Sequence, residues 1–232
     1  MNQATQDLCK DLALANRVLA REGVLDAFGH VSVRHPDLPG HFLLSVSKAP
    51  ELVCASDIIV HDEQSEPLQA GPEPLYSERY IHGEIYRLRP DVMAICHHHS
   101  PSVTPFCITG VPLRPVYQHG SLIGTHTPLW DSRSDFGDTN MLVTNAAQGA
   151  SLARSLGQAW MVLMRHHGAT VAGTSMKEMV FRAVTACRNA ELQYRAMAIG
   201  QVEGLTDGEI EKASKVPPAA IDRAWQLWVG RV

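Results

Sequence analysis

Three consecutive histidines, His97, His98 and His99, end the apolar run VMAIC and stand before the turn-forming Ser100-Pro101. A second pair, His166 and His167, follows the apolar run WMVLM and precedes Gly168, about seventy residues later. Metal coordination, proton transfer and a plain polar strand end are all open to such residues. Side chains alternate along a strand, so His97 and His99 share one side while His98 faces the other. Two imidazoles so placed can aim at one point, and neutral imidazole binds zinc and other transition metals at about 2.0–2.1 Å. Two ligands make a weak site, and a third has to come from elsewhere in the chain. His167, beside a glycine turn at the end of another apolar run, is the candidate. An isolated H-x-H pair reads more simply as hydrogen-bonded polar residues; the second cluster turns the balance toward metal. Glu78 comes next, in the first turn of a helix opened by Ser77, where the helix dipole favours a carboxylate. It is either a helix-end charge or a fourth ligand and general acid/base. A carboxylate that substrate displaces would leave the open position a catalytic metal needs. His82, one turn later, either orients Glu78 or lies on the surface. Cys96 is placed to act as a thiolate, but within VMAIC it reads as a small buried hydrophobe.

These residues need elements to hold them. Residues 3–22 carry Leu8, Leu12, Leu14, Val18 and Leu19 at helical spacing, with Gly23 as the stop. GHVSVRHP (29–36), HFLLSVS, DIIVHD and VMAICH (92–97) read as strands. The Ser77 helix runs to about Leu88, before Pro90. A short helix opens in SPSVTPFCITG, and short strands and turns fill the stretch from Pro112 to about Val143. AAQGASLARSLG is a helix, and AWMVLMRHHG with ATVAG forms a hairpin turning near Gly168. Ser175 and Glu178 make a capping box for a long helix to about Ile199. The tail, with Trp225 and Trp228, holds one or two more helices, which pack on their own chain or cover a neighbouring subunit. Strands and helices without a strict βαβ rhythm predict an α/β fold: a mixed or antiparallel sheet covered by helices in a single domain, 1–232.

Composition narrows the function. The 232 residues are 45% hydrophobic and 19% charged with a net charge of −4, and no Lys/Arg block points to nucleic acid or an anionic membrane. No apolar stretch approaches a membrane span, and the amphipathic start lacks the apolar centre of a signal peptide, so the expected setting is cytoplasmic. Five scattered cysteines without C-x-x-C spacing argue against a disulfide framework or a cysteine zinc site.

The segments GHVSVR, SERYIHGEIYRLRPDVMAICHHHSPSVTPF and LMRHHGATVAG together resemble the class II aldolase/adducin family. The ordered set is specific although each piece alone is not. The resemblance implies a three-layer α/β/α sandwich around a mostly antiparallel mixed sheet, and a homotetramer with sites at subunit interfaces. It makes His97, His99 and His167 metal ligands and Glu78 the catalytic carboxylate, able to ligate when no substrate is bound. His98 falls at a variable position and His166 where asparagine is frequent, so neither is carried over. Sugar-phosphate aldolases of the family hold phosphate with Gly-Asn, a T-P-S-G-like turn and a Ser-Ser ahead of the glutamate. Here His30 replaces the asparagine, the turn reads SVSKAP and Tyr76 replaces a serine. A phosphate cradle needs small residues so that backbone N–H groups can reach the anion. The departures imply a flatter substrate without phosphate, an aromatic carboxylate, as in the decarboxylase branch. Arg34 is then the candidate for pairing with a substrate carboxylate. His30 and Lys48 are weaker candidates, and Tyr117, His119 and His126 are candidates for the pocket lining. Zn²⁺ suits the three-histidine site, with Mn²⁺, Co²⁺ or Fe²⁺ as alternatives. The expected activity is carbon–carbon bond cleavage, decarboxylation ahead of aldol cleavage. An epimerase, an iron oxygenase and a metal-free adducin-like interaction module are the alternatives.

Overall fold

Alternation along the strands sorts side chains to two faces, and the computed structural model, which describes residues 2–69 and 71–232, uses both. In chain order the elements are α1 (Gln3–Arg21), β1 (His30–Arg34), β2 (Phe42–Ser45), β3 (Ile58–His61), α2 (Arg79–Leu88), β4 (Ala94–His98) and α3 (Thr104–Thr109). After a 3-10 helix at Gln118–Ile123 come β5 (Leu129–Trp130), α4 (Ser132–Phe136), α5 (Ala146–Leu156), β6 (Met161–Met164) and β7 (Gly168–Gly173). The chain continues with α6 (Met176–Met197), α7 (Asp207–Ala213) and α8 (Pro218–Val229). The seven strands form one sheet in the order β3-β2-β1-β4-β7-β6-β5. Every neighbouring pair is antiparallel except β5 with β6.

On one face Val31, Val33, Leu43, Ala94, Cys96, Met161, Leu163, Ala169 and Val171 pack with α1, α3, α6 and α8. On the other, Phe42, Leu44, Ile95, Val162, Met164 and Ala172 meet Ile81, Ile85 and Tyr86 of α2 and Leu152 and Leu156 of α5. The result is three layers, α/β/α. Each fully buried Leu, Ile or Phe contributes roughly 1.5–3 kcal/mol through lost apolar exposure, so two such cores hold the sheet from both sides. Helix α5 lies close on α2 because Gly149 has no side chain: a Cβ there would stand 2.5 Å from the Tyr80 carbonyl oxygen. Trp225 and Trp228 are buried in the core of their own chain. Among the described residues, no helix is long and apolar enough to cross a membrane.

Three local expectations need correction. Ser77 does not cap α2; Glu78 is the N-cap residue, and its side chain makes no cap bond. The box before α6 is half formed: Ser175 Oγ accepts from the Glu178 N–H, but the Glu178 carboxylate reaches the Thr174 N–H instead of that of Ser175. Between Pro112 and Val143 the one strand is the two-residue β5, and two short helices, Gln118–Ile123 and Ser132–Phe136, stand where further strands are expected. That stretch has no sustained period for either regular structure, so tertiary packing decides it.

Candidate metal centre

Strand register brings the histidines together. In β4, His97 pairs with His30 of β1 on one side and Thr170 of β7 on the other, so all three project from the α2/α5 face. His99 follows just beyond β4, and His167 ends the turn between β6 and β7. That turn is tight: His166 takes a positive φ of 54°, and its side chain is exposed. Gly168 lets β7 pass over the end of β4, since a Cβ there would lie 2.3 Å from the His98 carbonyl oxygen and 2.9 Å from the His99 ring. His98 faces the opposite side and is fully buried.

Three Nε2 atoms converge. His97 and His99 are 3.0 Å apart, and His99 and His167 3.1 Å. Glu78 Oε2 stands 3.6 Å from Nε2 of both His97 and His167. The four ligand atoms all lie within 4.8 Å of one another. Ligands at about 2.0–2.1 Å around a tetrahedral ion are about 3.3 Å apart, so these spacings fit one small cation.

The other ring nitrogens decide what the Nε2 atoms carry. His167 Nδ1 lies 3.0 Å from the Met141 carbonyl oxygen, which can only accept, so Nδ1 holds the proton. His99 Nδ1 lies 3.2 Å from both oxygens of Asp26. Asp26 is an ionised acceptor whose pKa is lowered: burial pushes it up, but the Phe28 and Gly29 amides and His99 outweigh that. His97 Nδ1 meets the Thr170 hydroxyl at 3.2 Å, which itself points its proton toward Met164 Sδ at 3.7 Å. In each neutral ring the Nε2 lone pair therefore faces the other two. The His99 lone pair, 3.0 Å from that of His97 and 3.1 Å from that of His167, is repelled by both unless a cation sits between them, and orienting partners at the outer nitrogens are the usual support of histidine ligands. Burial, together with the neighbouring histidines, holds His97 well below the usual imidazole range, and burial lowers His167 as well. Both favour the neutral, ligating form. Burial raises the Glu78 carboxyl to about 7, against the pull of the Val143 amide and His99. The residues fit a divalent ion.

The centre opens onto a cavity of about 500 Å³ that His30, Lys48, Tyr76, Glu78, His99 and His167 help to line. His30 and Tyr76 stand ring to ring, centroids 4.5 Å apart. The Tyr76 hydroxyl donates to the Lys48 carbonyl oxygen, which fixes the ring against the SVSKAP turn. Leu142 forms another wall, and its neighbours are tied to the centre: Val143 N–H donates to Glu78 Oε1 at 2.9 Å, while Met141 accepts from His167.

Four site candidates from the sequence lie elsewhere. Arg34 does not face the cavity. Its guanidinium donates through Nε and Nη2 to the carbonyl oxygens of Tyr86, Arg89 and Val92 and covers the Tyr86 ring at 4.7 Å, which ties it to the end of α2. Tyr117 bonds the Thr185 carbonyl oxygen on α6 and, with His119, lines a separate cleft against Phe181 and Trp228. His126 lines a third cavity beside Pro112 and Ile210. His82 neither orients Glu78 nor reaches the surface; it is fully buried and bonds His30 and Ser32. Cys96 is fully buried and its thiol is pushed well up by burial, which suits the hydrophobe it resembles. Asp26, Thr170 and the Met141 carbonyl, which orient the ligands, escaped the sequence reading. Asp26-x-Phe28-Gly29 does carry the signature of a side-chain-closed turn, and Asp26 Oδ1 accepts from the Phe28 and Gly29 amides. Nothing local ties it to His99.

Residues 10–194 match the class II aldolase and adducin N-terminal domain. The chain belongs to that family. It is 33% identical over 241 residues to Decarboxylase tropJ of Talaromyces stipitatus, covering 93% of this chain and 90% of that protein. It is 31% identical over 204 residues to the 3,4-dihydroxyphthalate decarboxylase of Arthrobacter keyseri, covering 82% and 78%. The L-fuculose 1-phosphate aldolase from Glaciozyma antarctica PI12 has the same fold, with a TM-score of 0.80 at 24% identity over 97% of this chain and 88% of that one. The family is one of lyase-type enzymes that act on small molecules, typically with a divalent metal ion.

Proposed function

We propose that this protein is a divalent-metal-dependent decarboxylase of a hydroxylated aromatic carboxylate or dicarboxylate. The observation that carries the reading is the cavity itself: a His97–His99–His167–Glu78 centre walled by the rings of His30 and Tyr76. Two aromatic rings 4.5 Å apart occupy space that an anion cradle would leave to backbone amides. A planar acid suits such walls, and the decarboxylase names of the two relatives support the same chemistry.

When bound, an ion held by these four residues supplies a Lewis acid that takes up negative charge from a substrate oxygen. The chain's own residues do the rest. Asp26, Met141 and Thr170 fix the three imidazoles in the ligating tautomer. Loss of CO₂ breaks the ring–carboxyl bond and leaves its electron pair on the ring carbon, which a proton must then reach. Once a substrate oxygen takes its place on the ion, Glu78 would deliver that proton from Oε2 and regain one from solvent, with Oε1 anchored by the Val143 amide. The reading takes zinc as the ion, given three imidazoles, and the whole chain as one domain acting in a cytoplasmic homotetramer. The five free cysteines suit a reducing compartment.

The test is to strip the protein, reload it with Zn²⁺ or Mn²⁺, and supply a panel of hydroxylated benzoates and phthalates while measuring CO₂. One CO₂ per acid consumed, only with metal present, is the expected result. Metal-loaded protein that leaves the whole panel intact and instead splits hydroxy-oxo acids into two carbonyl products would overturn the proposal in favour of aldol cleavage.

A further inference from the structure

Behind the cavity wall runs a buried chain of polar groups that the metal centre does not use. His30 Nδ1 lies 2.7 Å from His82 Nε2, and His82 Nδ1 lies 2.6 Å from Ser32 Oγ. Ser32 Oγ lies 2.8 Å from the Tyr86 hydroxyl. Ser32 and His82 are fully buried, and His30 and Tyr86 are 1% and 4% exposed. Each link needs one donor and one acceptor, and neutral His82 donates through one nitrogen only. If His30 donated to His82, His82 would donate to Ser32, and either the Tyr86 or the Ser32 hydroxyl proton would have no acceptor among the described residues. An orphaned buried donor keeps its full desolvation cost, which disfavours that sense. In the opposite sense every member is satisfied. Tyr86 donates to Ser32, Ser32 donates to His82 Nδ1, and His82 Nε2–H donates to His30 Nδ1. Among the described residues no carboxylate bonds either ring, and both are taken as neutral. The proton of His30 then sits on Nε2. With Nδ1 turned to His82, the Nε2 edge is what His30 offers to the cavity it lines, beside His97 with ring centroids 5.0 Å apart.

We propose that His30 presents a fixed Nε2–H to the substrate, as the donor to a second anionic oxygen next to the group held at the metal, and that His82, Ser32 and Tyr86 are positioning residues that set its tautomer. The substrate class that follows is an aromatic acid with an additional carboxylate or phenolate oxygen on the edge facing His30. The identity of that acceptor rests on the proposed function; the tautomer does not. A carbonyl or carboxylate is welcomed by such a wall, and a group that can only donate is rejected, because it would leave two donors facing each other.

The test has two arms on the zinc-loaded protein. The first is two-bond ¹H–¹⁵N NMR of the imidazoles, with the His30 signals assigned by their loss in His30→Asn. Proton on Nε2 is expected; proton on Nδ1 overturns the proposal whatever the substrate. The second is calorimetric binding of salicylate, with CO₂ release and bound zinc measured in parallel. His82→Phe should keep its zinc yet bind salicylate about tenfold more weakly or worse, the value of a hydrogen bond to a charged group. His82→Gln, whose amide N–H can still donate to His30 Nδ1, should recover most of that loss. Ser32→Ala provides the same test should His82→Phe not fold. Unchanged affinity in both His82→Phe and His30→Phe would refute the donor role. If the wild type binds no aromatic acid while His30 carries its proton on Nε2, the proposed substrate fails and the fixed donor stands.

Discussion

Asp26→Asn probes the support of the candidate metal centre without touching a candidate ligand. Both Asp26 oxygens lie 3.2 Å from His99 Nδ1, and Oδ1 also closes the turn by accepting from Phe28 and Gly29 at 2.9 and 3.0 Å. Asparagine keeps one oxygen for that turn, so the backbone stays in place; what goes is the negative charge behind the ring. That charge holds the proton on Nδ1 and raises the basicity of Nε2 toward the ion. Partners of this kind are worth about 10–100-fold in metal affinity. The Asp26 side chain is 42% exposed, so water and salt screen part of its field. The expected loss for Asp26→Asn is therefore at the low end, about tenfold or roughly 1.4 kcal/mol. Asp26→Ala also removes the acceptor that orients the ring and should approach the upper end, about a hundredfold. Competition for Zn²⁺ against a chromophoric chelator, at one pH and at two salt concentrations, reads these numbers. The gap between wild type and Asp26→Asn should narrow in high salt. Asp26→Ala binding zinc as tightly as the wild type would refute the claim that the outer nitrogen governs this site.

Three further outcomes are expected. Glu78→Gln keeps an oxygen for the Val143 amide, so melting temperature should hold while turnover falls by about 10²–10⁴; an unchanged rate would reduce Glu78 to a structural role. Gly168→Ala places a methyl 2.3 Å from the His98 carbonyl oxygen and should cost about 1–3 kcal/mol in urea denaturation, with weaker zinc binding. Acid should weaken the fold through His61 and His82, whose pKa values burial lowers to about 4 and about 3. With the unfolded imidazole near 6.5, the unfolded chain binds protons that the folded chain refuses. Their stabilisation is full above about pH 6.5 and is lost as pH falls, down to about 4 for His61 and about 3 for His82. His61→Phe should flatten the dependence of the urea midpoint between about pH 7 and pH 5, and an unaltered slope would count against it.

The strands were legible because each alternates between two buried faces: Val31 and Val33 go to one core, His30 and Ser32 to the other. The same alternation separates His97 from His98 and puts His97 on the face that the centre needs. The convergence of His167 depends on β4 lying next to β7, a pairing that no local pattern states. Arg34 shows the limit. It shares a strand face with His30, but four residues of strand are roughly 13 Å, which carries it to the other end of α2. Tyr117 sits in a segment without period, where packing against α6 decides its place. Asp26 reaches His99 across 73 residues, and a contact of that span leaves no trace in sequence spacing.

The stretch from Met141 to Val143 has a consequence of its own. Its first residue is held by His167 and its last by Glu78, while Leu142 between them borders the cavity. That short strap cannot shift without tugging on two of the candidate ligands, and neither can relax without slackening the strap. An ion bound there would therefore pull on the strap too, so metal-loaded and metal-free protein should differ in the contour of the chamber.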